Sequence, residues 1–81
     1  MPRGLFNWKF ADVDRFLREH GFKIDHTHTD GSHYYYHGYI GGVLCIVHVP
    51  FHGSKVIKPK TIRSIISQSC ISKEEWVKKH S

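Results

Sequence analysis

The sequence is short of cysteine. It has two among 81 residues, Cys45 and Cys70, where a small secreted domain held by bridges carries four or more. Both lie in apolar surroundings and are expected as small hydrophobes in the core. Long apolar runs are also missing. The longest unbroken one, Val43 to Val47, has strand length and falls far below the ~20 residues of a membrane span, so no membrane is expected as a partner. The opening Met1-Pro2-Arg3-Gly4 is not followed by an apolar stretch of signal-peptide length, and a cytoplasmic location is the expectation. There is no internal repeat and no low-complexity tract. Neither C-x-x-C nor H-E-x-x-H occurs, so the common spacing signatures of zinc are absent. Acidic residues are scarce. Seven Asp and Glu face twelve Lys and Arg, a formal net charge of +5, which favours a polyanionic partner, nucleic acid first.

What is present describes one folding chain. With 40% hydrophobic and 23% charged residues, the composition is not that of a disordered segment. The length leaves room for a single domain, residues 1–81. Eight histidines are more than such a chain ordinarily carries and ask for an explanation in metal binding, catalysis or pH sensing.

The apolar pattern predicts the elements in order. Phe10, Val13, Phe16 and Leu17 recur at helical spacing behind the N-cap candidate Asn7, and Gly21 stops the helix, which should run from about Trp8 to His20. The alternation from Phe22 to His28 predicts a first strand with Phe22, Ile24, His26 and His28 on one face. Asp30-Gly31 signals a turn, and His33-Tyr34-Tyr35-Tyr36-His37 reads as a second strand. Gly38, Gly41 and Gly42 mark the next connection, Val43 to Val49 the third strand, and Pro50 its end. Pro59 suits the first turn of a second helix with Ile62, Ile65, Ile66 and Ser69 inward. Ser72-Lys73-Glu74-Glu75 has the capping-box spacing of a short last helix with Trp76 turned in. The fold class is therefore α+β. Its order is α-β-β-β-α, with a three-stranded antiparallel sheet, helices on one face and a short C-terminal helix, the architecture of double-stranded RNA-binding domains.

Four groups of residues can carry chemistry. His26 and His28 form an H-x-H pair whose imidazoles can grip a metal, or else lie on a wet sheet edge beside Asp25 or Asp30. His33 follows a tight Gly-Ser turn at the start of a strand, where a side chain is exposed while the sheet fixes its backbone, and imidazole exchanges protons near neutrality. Lys55, Lys58, Lys60 and Arg63 surround the start of the second helix, whose free N–H groups already favour anions, and together they suit RNA phosphates. The run Tyr34-Tyr35-Tyr36 offers stacking surfaces for bases, but alternation puts at least one of its faces in the core.

An ordered set of motifs sharpens this reading. His20-Gly21-Phe22 ends the first helix, Gly31-Ser32-His33 precedes the aromatic strand, Val49-Pro50-Phe51-His52-Gly53 follows the third strand, and K-P-x-T-x-R-x-I-I runs from Lys58 to Ile66. From about Phe10 to Trp76 the chain resembles the HicA-type (YcfA-like) toxins of bacterial toxin–antitoxin systems. The resemblance implies the double-stranded RNA-binding-domain fold, an mRNA interferase activity that blocks translation, and a HicB-type antitoxin as partner. It implies His33 as the catalytic histidine, with Ser32 and His52 as supporting candidates. One departure stands out: Asp30 occupies a position where many members carry Lys or Arg, which removes a phosphate contact and favours a protonated imidazole. The implied chemistry needs no metal or other cofactor, because RNA supplies its own 2′-OH nucleophile, and DNA, which lacks that hydroxyl, is not expected as a substrate. Three other readings remain open at this point. They are a non-catalytic RNA-binding module on the same basic face, a metal-binding regulator built on His26 and His28, and a domain that only binds a partner protein.

Overall fold

A computed structural model describes residues 7–25, 33–51 and 55–80. The elements run α1 (Phe10–Glu19), β1 (Lys23–Asp25), β2 (His33–Ile40), β3 (Val43–Pro50), α2 (Pro59–Ser69) and α3 (Lys73–His80). The strands form an antiparallel sheet in the order β1-β2-β3. The helices lie against one of its faces, giving the α+β architecture of double-stranded RNA-binding domains expected from the sequence.

Helix α1 starts later than the spacing suggests. Its N-cap is Lys9, whose backbone N–H donates to the Asp12 carboxylate at 2.9 Å. Asn7 is instead left-handed, with φ of 68°, and Trp8 is buried in the core. The far end follows expectation. Gly21 adopts φ of 87°, its N–H bonds the Arg18 carbonyl at 3.1 Å and that of Phe22 bonds Leu17 at 2.9 Å, the paired bonds of a Schellman stop.

Strand β2 is longer than predicted and passes through Gly38, which is buried rather than in a turn. A Cβ there would come within 2.8 Å of the Phe22 ring, so the glycine makes room for packing. The hairpin connection is only Gly41-Gly42, both at positive φ, which suits a two-residue turn. Alternation sends Tyr36, Cys45, Val47 and Val49 inward against Val13, Phe16 and Leu17 of α1 and Ile62, Ile65 and Ile66 of α2. Trp76 closes the core from α3, stacked on Phe16 at 3.9 Å and edge-on to Trp8 at 5.3 Å.

The cysteines depart from the sequence reading. Cys45 is buried, but Cys70 is exposed and caps α2 in a left-handed conformation, with φ of 63°. The two are joined as a disulfide, with Cα atoms 6.4 Å apart. Helical periodicity predicts which face a residue occupies only while the backbone stays helical. The left-handed turn at Cys70 takes its side chain off the inner stripe.

Candidate functional site

His33 is the first residue of β2, exposed and paired across the sheet with Pro50, the last residue of β3. Strand alternation fixes its direction. Its neighbour Tyr34 points inward and joins Phe10 and Phe51 in an aromatic trio, with centroids 4.9–5.6 Å apart. His33 therefore faces away from the helices, on a strand end that three rings hold in place.

Pro50 connects this end of the sheet with the basic residues. It lines a groove of about 380 Å³ together with Lys55, Val56, Ile57, Lys58 and Thr61. The segment that carries Lys55 and Lys58 is tied down at two points. Val56 forms an antiparallel bridge with Lys9, and the Ile57 N–H donates to the Trp8 carbonyl at 2.7 Å. The Ile57 side chain, 1% exposed, anchors the loop in the core. Lys58 is the N-cap of α2 and Pro59 its first residue. The first turn of α2 carries no acidic side chain, so its unpaired N–H groups and the lysines act in the same direction on an anion.

Of the residues singled out in the sequence, the structure brings Lys55 and Lys58 into one groove. Lys60 and Arg63 are exposed on α2 beside it, three residues apart on one side of the helix, but do not line it. Ser32 and His52 lie outside the described residues, as do His26, His28, Asp30 and Gly31. Among the described residues no group of three or more His, Cys, Asp or Glu side chains could hold a metal ion, and no helix is long and apolar enough to cross a membrane.

Two residues escaped the sequence reading. Lys9 looks like an ordinary helix-start lysine, yet the bridge to Val56 sets it beside the Lys55–Lys58 segment. Only a pairing across 47 positions reveals this, and no local pattern carries it. Thr61 adds a hydroxyl to the groove. Tyr36, by contrast, is removed from any proton-transfer role. Its buried hydroxyl donates to Asp14 at 2.6 Å, and burial together with that bond pushes its pKa far above the ordinary phenol value, so it stays neutral.

The profile of a family described as "HicA toxin of bacterial toxin-antitoxin" matches residues 10–71. That span runs from the first residue of α1 to just past α2 and takes in His33 and every basic residue singled out in the sequence. Neither the curated proteins nor the solved structures yield a match.

Proposed function

This chain belongs to the HicA toxin family of bacterial toxin–antitoxin systems, and from that membership we propose that it is a metal-independent endoribonuclease that cuts mRNA and so blocks translation. The observation that carries the proposal is the common placement of an exposed histidine and a cationic groove at one end of the sheet, linked through the His33–Pro50 pair.

The reaction needs three services. A base takes the proton from the 2′-OH, whose oxygen attacks the adjacent phosphorus. Cations hold the phosphate while negative charge gathers on its non-bridging oxygens. An acid then protonates the 5′-oxygen as the P–O5′ bond breaks, leaving a 2′,3′-cyclic phosphate and a free 5′-hydroxyl. In this reading His33 performs one of the two proton transfers and His52 is the candidate for the other. Lys55, Lys58 and Lys60 hold the phosphate, Arg63 contacts the neighbouring one, and Ser32 supports the reacting group with its hydroxyl. The protein acts in the cytoplasm, where its substrate is, and a HicB-type antitoxin covers the site.

Incubating wild type and His33→Ala with end-labelled mRNA in EDTA tests this. We expect wild type to cut, and His33→Ala to lose cutting by at least ~100-fold with an unchanged circular dichroism spectrum. Cutting that EDTA abolishes, or cutting of DNA, would overturn the proposal. Equal RNA binding by both proteins with no cutting by either would leave a binding module.

A further inference from the structure

His33 apart, the sheet face opposite the helices has been given no part in this reaction. Its composition follows from the register. From β2 it presents His33, Tyr35, His37 and Tyr39, and from β3 Leu44, Ile46, His48 and Pro50. Every outward position of β2 thus carries a ring, at a spacing of ~6.6–6.8 Å along the strand. The rings are open to solvent to different degrees. Tyr39 is 68% exposed and His37 is exposed, whereas the Tyr35 ring lies parallel to that of His48, with centroids 4.3 Å apart. This stacked pair, Tyr39, Leu44, Ile46 and Asp25 line a largely apolar groove of about 450 Å³.

We propose that this face is a stacking track for single-stranded RNA, which seats bases on Tyr39 and His37 and over the Tyr35–His48 pair and leads the strand to His33. The inference rests on the ribonuclease reading for its direction and on the register for its geometry. Aromatic side chains on a sheet face can stack on two or three unpaired bases in this way. The row of rings ends at His33 itself, on the same strand and the same face, so a strand lying along it is presented to the residue proposed to act on it. Asp25 is the one acidic side chain on this face among the described residues of the strands, in a chain of net charge +5. The apolar walls suit base faces. A paired helix, whose bases are already stacked on one another, has nothing to place on the rings.

The variants are Tyr39→Ala, Tyr39→Phe and His37→Ala, each in a His33→Ala background so that the probe survives. Both positions are exposed, so truncation leaves the core untouched. The probe is a short RNA oligonucleotide carrying 2-aminopurine, supplied single-stranded or annealed to its complement. The His33→Ala parent should quench the fluorophore in the single strand and bind it more tightly than the duplex. Tyr39→Ala should lose the quench and about tenfold in affinity, as expected for one lost base stack. His37→Ala should lose less, and Tyr39→Phe should behave as the parent. Unchanged affinity and quench in both alanine variants, or equal affinity for duplex and single strand, would overturn the track and leave the face to a protein partner. The two readings fail separately. A protein that quenches through Tyr39 but never cuts RNA keeps the track and loses the ribonuclease. One that cuts RNA with the alanine variants binding normally keeps the ribonuclease and loses the track.

Discussion

Ser69 shows how much one small polar side chain can hold. Its hydroxyl is fully buried, donates to the Ile66 carbonyl at 2.7 Å, and accepts from the Ile71 N–H at 3.1 Å and the Trp76 indole N–H at 3.2 Å. It therefore joins the end of α2 to the indole that closes the core. Ser69→Ala removes one oxygen and orphans two buried donors, each worth ~1–3 kcal/mol. We expect a loss of at least ~2 kcal/mol, or roughly 10 °C in melting temperature for a domain of this size, measurable by thermal denaturation. A shift under 2 °C would contradict it. The sequence placed Ser69 on the inner stripe of α2, as the structure does, but the Trp76 indole that it accepts from approaches only after the chain has turned into α3. Gly38 failed for the opposite reason. Glycine is a frequent turn residue, and a turn was the natural reading. Its actual neighbour is the ring of Phe22, sixteen positions earlier, and only the packing of that ring against β2 reveals it.

At the scale of elements, those with strong local signals were legible. Pro59 opens α2, the Ser72 hydroxyl accepts from the Glu75 N–H at the head of α3, and Gly21 stops α1, all as expected. What stayed hidden was the joining of elements that are distant in the chain. The Cys45–Cys70 bond ties the middle of β3 to the end of α2 across 25 residues, and spacing alone does not distinguish this from two buried thiols. A cross-link closing a loop of that length stabilises by roughly 3 kcal/mol, chiefly through the unfolded chain. Full reduction, or Cys70→Ser, should therefore lower the melting temperature by roughly 10 °C or more. Equal melting with and without reductant would mean the bond contributes nothing. Close to this bond, the His48 N–H on the outer side of β3 donates to the Gln68 side chain at 2.8 Å. The edge strand thus has one of its donors already occupied, which discourages pairing with another chain.

For the molecule as a whole, charge is placed more informatively than its sum suggests. Lys9, Lys55, Lys58, Lys60 and Arg63 come from two stretches of chain and gather where α1 begins, β3 ends and α2 starts. If they meet phosphates, RNA affinity should fall steeply with salt, and each Lys→Ala variant should flatten the plot of log K against log salt by about 0.7. Titrating single-stranded RNA at several salt concentrations checks this, and a slope unmoved by Lys55→Ala and Lys58→Ala would remove the groove from the interface. Four of these five residues could be picked out from their neighbours in sequence. The fifth, Lys9, could not, because what joins it to the others is the backbone stitch between Trp8-Lys9 and Val56-Ile57. That stitch also bears on time. During synthesis at ~5–20 residues per second, the loop with Lys55 and Lys58 appears seconds after the strand-like segment that must receive it. Until then the cations have no frame. The groove takes its shape only once Val56 and Ile57 have been made and have folded back onto Trp8 and Lys9.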